Sequence, residues 1–223
     1  MTIQWFGQSF FKVISKNNKG EDVVLAIDPY NKKYGLNVPS KFGADILMVT
    51  HDHEDHANVE GVKGIESARP FEITGPGEYE VKGAMIYGIH SFHDNNQGAD
   101  RGENTIFIFE IEGIWVGHLG DLGQKELTVE QMEKLQNIDI LLIPVGGKYT
   151  VDGKEASTLV SQIEPRIVIP MHYQIDGLKM DIENEDKFVK ECGLKPEKTD
   201  KFKIQKKNLP QEETELVILE PKQ

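Results

Sequence analysis

Six consecutive residues, His51-Asp52-His53-Glu54-Asp55-His56, hold three histidines and three carboxylates. The chain has only seven histidines in 223 residues, so one short segment takes three of them. Imidazole nitrogen and carboxylate oxygen are the donors of zinc sites, and a catalytic zinc keeps one position open. In an extended segment alternate side chains share a side, so His51 and His53 can grip one ion together. Asp55 and His56 come after the chain turns and can face a second ion. Four residues cannot complete two sites, so further ligands must come from elsewhere.

The elements that position such ligands follow from the apolar runs. The run 46–49 leads into the cluster, 85–89 leads to His90 and His93, 114–116 to His118 and Asp121, and 167–169 to His172. In open α/β sheets ligands collect at the carboxyl ends of strands, so four such ends point to one cleft. Other expected strands are 3–6 and 10–14, a hairpin around Gly7-Gln8-Ser9, and 23–27, stopped by Asp28-Pro29. Strands are also expected at 71–74, 79–81, 106–111 and 140–144, with closing strands at 204 and 216–219. Helices are expected over 129–135, 156–163 and 183–192, the last closed by Gly193, with a short one over 59–65. Residues 31–41 form a loop, and the charged segment 195–207 forms a solvated connector. Strands followed by β-α-β alternation predict an α/β fold, a four-layer αββα sandwich of two mixed sheets with helices on the outside. Residues 1–223 then form a single domain.

The formal net charge is −12, which argues against affinity for nucleic acid or an anionic membrane. No apolar run approaches the roughly 20 residues that span a bilayer, and the first residues lack a basic leader with an apolar core. The single cysteine, Cys192, cannot form an internal disulfide, so a cytoplasmic setting is expected. A homo-oligomer is compatible with all of this.

The pattern HxHxDH at 51–56, His93, GxxGD at 117–121 and PMHY at 170–173 resembles the metallo-β-lactamase superfamily. The resemblance covers about residues 1–175 and leaves no room for an inserted cap domain. The segments GPGEYE at 75–80, RGENT at 101–105 and IPVGG at 143–147 are similar to its ascorbate-6-phosphate lactonase-like branch. The resemblance implies that His51, His53 and His93 hold a first metal, that Asp55, His56 and His172 hold a second, and that Asp121 bridges them. His90 is then expected to pack or to support the ligands. His118 has two readings: a satisfied strand-end histidine, or a group that faces substrate or supports a ligand. Oxygen-reducing relatives replace the second histidine of the motif with glutamate, whereas this chain has His53. A ligand set of nitrogen and oxygen suits zinc and also permits manganese, iron or nickel.

Two divalent ions bring four positive charges and the two aspartates remove two. The remainder favours a small anionic substrate and a hydroxide held between the ions, with Asp55 as its orienting and proton-accepting group. Asp55 and His118 are thus the catalytic candidates, and Arg101, Lys148 and Tyr149, on glycine-rich loops, are candidate substrate contacts. The expected function is hydrolysis of an ester, lactone or phosphoester. A nuclease or phosphodiesterase and a non-enzymatic metal sensor or scaffold are the competing readings.

Overall fold

The computed structural model describes residues 1–38 and 42–222, so the end of the loop expected over 31–41 lies outside the described residues. In chain order the strands are β1 (Thr2–Trp5), β2 (Phe11–Lys16), β3 (Asp22–Ile27), β4 (Phe42–Ala44), β5 (Ile46–Met48), β6 (Val62–Gly64), β7 (Phe71–Ile73) and β8 (Gly77–Val81). They continue with β9 (Ala84–Phe92), β10 (Glu103–Ile111), β11 (Ile114–His118), β12 (Ile140–Pro144), β13 (Ile167–Met171), β14 (Pro196–Thr199), β15 (Phe202–Lys203) and β16 (Glu215–Leu219). The α-helices are α1 (Val129–Leu135), α2 (Gly153–Ile163) and α3 (Asp186–Cys192).

Alternation along β3 sets the layers, because successive side chains of a strand point to opposite faces. Val23, Leu25 and Ile27 enter a core shared with β10 to β13, while Val24 and Ala26 enter a second core with Phe6, Phe10 and Tyr30. One mixed sheet has the order β15-β1-β2-β3-β5-β7, and the other β14-β16-β13-β12-β11-β10-β9-β8. This is the expected sandwich of two mixed sheets. Leu135 of α1, Leu159 and Ile163 of α2 and Phe188 of α3 pack into the larger core. No residue of these helices enters the second core, which is completed by Leu36, the two-stranded β4–β6 sheet and Leu178.

Two expectations are corrected. Residues 59–65 form a 3-10 turn, Val59–Gly61, and then β6 rather than a helix. Buried Val62 pairs opposite Phe42 in a parallel ladder, and Gly61 and Gly64 disfavour helix on both sides. The segment 195–207 is not a free connector. Its backbone supplies β14, parallel to β16, and β15, antiparallel to β1. Its lysines and glutamates are the charges that edge strands carry against further pairing.

Candidate metal centre

The strand ends meet as the chain order requires. The loop 50–56 follows β5, His93 follows β9, Asp121 follows β11 and His172 follows β13. Thr105 N–H on β10 donates to the Thr50 carbonyl at 2.9 Å, which fastens one sheet to the other beside the cluster. Ligand atoms of His51, His53 and His93 lie within 4.8 Å of one another, and so do those of Asp55, His56, Asp121 and His172. The groups are contiguous, since the His51 and His56 rings are 4.2 Å apart between centroids. A single oxygen, Asp121 Oδ2, lies 3.2 Å from His56 Nε2, 3.1 Å from His172 Nε2 and 3.4 Å from His93 Nε2. It therefore touches both groups.

One buried carboxylate aims a histidine of each group. Asp28 accepts from Thr50 N–H at 2.8 Å and from the Thr50 hydroxyl at 2.7 Å, and it lies 2.9 Å from His56 Nδ1. A carboxylate only accepts, so His56 Nδ1 carries a proton, and Nε2 is the atom that presents a lone pair to an ion once the ring gives up its second proton. The Thr50 hydroxyl spends its own proton on Asp28. It must therefore accept from His51 Nδ1, 3.0 Å away, which leaves His51 Nε2 as a lone pair too. Asp121 is held by the Ser9 hydroxyl, which donates at 3.1 Å to Oδ1, and its backbone N–H donates to Asn104 Oδ1 at 3.0 Å.

Buried polar atoms without a partner are costly. Here His51 Nε2, His56 Nε2 and His172 Nε2 are buried without an aligned hydrogen bond. His56 Nε2 and His172 Nε2 converge on Asp121 Oδ2 without aligned hydrogen bonds, and a shared cation satisfies such convergence. Burial would discourage charge on His56, yet the Asp121 and Asp28 carboxylates outweigh it and raise its pKa well above the imidazole range. Burial likewise opposes ionisation of Asp121, but His172 and His56 hold its carboxyl well below the usual range. Burial lowers the pKa of His51, with His56 acting in the same direction, and burial lowers that of His93 against the pull of Asp121. The centre thus calls for positive charge that its own imidazoles supply incompletely, and metal binding would displace the protons they hold. The donor set fits divalent cations.

Backbone strain sits at the same place. His172 has φ of 51°, a left-handed conformation that costs a non-glycine residue about 1–3 kcal/mol. It is fixed by His172 N–H donating to the Gln8 carbonyl at 3.1 Å and by Gly146 N–H donating to the His172 carbonyl at 3.0 Å. A Cβ at Gly146 would collide with that carbonyl oxygen.

Two histidine expectations are revised. His118 is fully buried: Nε2 donates to the Ser9 carbonyl at 3.0 Å, and Nδ1 accepts from Gly120 N–H at 3.1 Å. With both nitrogens engaged it cannot meet substrate, and the strand-end reading is the one the geometry matches. His90 does not pack behind the ligands. Its half-exposed ring faces solvent at the cavity rim, with Nε2 3.4 Å from Glu103 Oε1. Arg101, Lys148 and Tyr149 do come together, with the Arg101 and Lys148 cations each 5.5 Å from the Tyr149 ring centroid. Asp28, Thr50, Ser9 and Asn104 were missed as site-building residues, and their signal is a lone polar residue at a strand end or turn.

Sandwich, paired donor groups and strand-end placement define a metallo-β-lactamase-type protein, and the "Beta-lactamase superfamily domain" family model matches residues 2–172. A UPF0173 metal-dependent hydrolase of Methanosarcina mazei is 30% identical over 219 residues, covering 85% of this chain and 90% of that one. The chain belongs to the metallo-β-lactamase superfamily, in the family of UPF0173 metal-dependent hydrolases. A candidate zinc-dependent hydrolase of the superfamily from Thermotoga maritima superposes with a TM-score of 0.76 at 33% identity, covering 98% of each chain. A metallo hydrolase of Ignicoccus hospitalis, 22% identical, shares the fold with a TM-score of 0.66, covering 100% of this chain and 96% of that one. No described helix is long and apolar enough to cross a membrane.

Proposed function

We propose that the chain is a binuclear metal-dependent hydrolase of a small anionic ester, lactone or phosphoester, with zinc as the best-suited ion. The observation that carries this is the pair of contiguous donor groups, of three and four ligand atoms, whose buried nitrogens lack partners. His51, His53 and His93 would hold one ion, Asp55, His56 and His172 the other, and Asp121 both. When bound, such ions polarise a carbonyl or phosphoryl oxygen and lower the pKa of coordinated water from 15.7 to about 7. Asp55 is partly open to solvent, its carboxylate 3.7 Å from His56 Nε2, and it orients the nucleophile and takes its proton. Asp121 is too buried to meet bulk water and keeps the ligand nitrogens together. His53 is the exposed ligand of the first group and marks the entry side.

The ascorbate-6-phosphate lactonase-like reading draws support from where the marker segments lie. Gly75 and Pro76 of GPGEYE and Arg101 to Thr105 of RGENT line the cavity that opens on His51 and His53. Elemental analysis of purified protein should find up to two transition metals, fewer in His51→Ala and Asp121→Ala. Equal occupancy in all three proteins would sink the assignment. A panel of lactones, phosphodiesters and thioesters, with Asp55→Ala as control, then identifies the bond cleaved.

A further inference from the structure

A cavity of about 400 Å³ opens on His51 and His53, and Arg101 is the sole Arg or Lys among its lining residues. That volume falls in the range of small-molecule sites. The chain has three arginines. Arg69 pairs with Glu60 and Glu72, and Arg166 with Asp139. Among the described residues Arg101 pairs with no carboxylate, although the chain carries a net charge of −12. Its guanidinium spends one donor on the Lys148 carbonyl, at 3.1 Å from Nη2, and lies over the Tyr149 ring. The other N–H groups of the fork have no partner among the described residues, and a stacked guanidinium loses little further freedom on binding.

The loop beneath Arg101 holds it in place. Asp94, next to the ligand His93, accepts backbone N–H bonds from Asn96 at 2.7 Å, Gly98 at 2.9 Å, Asp100 at 2.9 Å and Arg101 at 2.7 Å. His93 N–H donates to the Gly102 carbonyl at 3.1 Å and closes the loop. One compact loop therefore carries a ligand at its start and the unpaired guanidinium at its end. Lys148 is a weaker candidate, because its ammonium is 2.7 Å from Asp181. Asp52 and Glu103 also line the cavity, and Arg101 is the one Arg or Lys there to offset them.

We infer that Arg101 is the specificity-determining residue, its guanidinium fork receiving two oxygens of a phosphoryl or carboxylate group that the substrate carries beside the scissile bond, with Tyr149 and Asp94 as positioning residues. This rests on the hydrolase reading above. The fork matches either oxyanion by two parallel N–H···O bonds, and the arms of the test separate them.

The test is calorimetric titration of metal-loaded full-length protein with inorganic phosphate and, separately, with acetate. Elemental analysis of each sample comes first. Arg101→Gln should weaken phosphate, acetate or both by about tenfold or more at unchanged metal content, Lys148→Gln should stay within twofold, and Arg101→Lys should recover only part. A loss confined to phosphate assigns a phosphoryl group, and one confined to acetate a carboxylate. Wild-type affinity for both anions in Arg101→Gln overturns the inference. So does an equal loss in Lys148→Gln, and full recovery in Arg101→Lys overturns the fork geometry. Wild-type protein without metal instead brings down the hydrolase reading, and elemental analysis shows this before any titration.

Discussion

Asp28→Asn isolates the aiming of the ligands from their identity. Asp28 has φ of 50°, and asparagine tolerates that left-handed backbone better than alanine does, so the substitution changes chemistry at constant shape. All three partners of Asp28 donate to it: Thr50 N–H, the Thr50 hydroxyl and His56 Nδ1–H. One orientation of the new amide sets its NH2 against Thr50 N–H alone, and the other sets it against both the Thr50 hydroxyl and His56 Nδ1–H. In the second orientation, relief at His56 requires the other tautomer, with the proton on Nε2 where the lone pair should face the ion. Hydrogen bonds to charged groups contribute about 1.5–3 kcal/mol each, so losing one or two costs metal-free protein about 3 kcal/mol. Disturbing a partner behind a metal ligand lowers metal affinity about 10–100-fold. Competition with a chromophoric chelator measures the affinity, and urea unfolding of chelator-stripped protein measures the stability. Wild-type metal affinity in Asp28→Asn would refute the tautomer relay through Thr50.

Three further outcomes are expected. His93→Ala should lose metal while His90→Ala keeps it, and the reverse ranking by elemental analysis would make His90, not His93, the third ligand. Burial lowers the pKa of His118 below the ordinary imidazole range, so below about pH 6.5 the unfolded chain binds a proton there that the folded chain refuses. Stability is therefore lost as pH falls below that point. His118→Gln should flatten the urea-midpoint profile of metal-free protein by up to about 1.4 kcal/mol per pH unit, and an unchanged profile would count against a neutral His118. Gly146→Ala drives a Cβ into the His172 carbonyl oxygen and should cost about 1–3 kcal/mol together with metal content. Thermal melts with and without added zinc show both effects.

The donors at 51–56, 93, 121 and 172 were legible because each follows an apolar strand, and strand ends of one sandwich gather at one edge. The residues behind them were not. Asp28 looks in sequence like a strand stop, 22 positions before the threonine it binds, and Ser9 looks like part of a turn. Only packing brings the Ser9 hydroxyl to Asp121, across 112 positions. His118 shares the strand-end pattern of the ligands, yet bonds at both nitrogens turn it inward, and periodicity carries no such information. The segment 195–207 misled in the opposite way. Its charges suggest solvation, but strand pairing depends on backbone groups, and β14 and β15 keep those charges on exposed edges.

The β1–β2 turn has a consequence for the order in which the protein comes to life. Gln8 and Ser9 leave the ribosome early, yet the groups they fix, Asp121 and His172, arrive more than a hundred residues later. Contacts this distant in sequence are slow to form, since the entropy of closing the intervening chain is lost before they contribute. A nascent chain that has released residues only as far as 56 owns two of the three donors in one group, two of the four in the other, and no Asp121 to join them. With the donors assigned as proposed, tight ion capture would wait for β13 to dock beside the first hairpin, and metal content would mark completed folding. A stalled or truncated chain ending before residue 172 should stay metal-poor even where β1, β2, β3, β5 and β7 have paired.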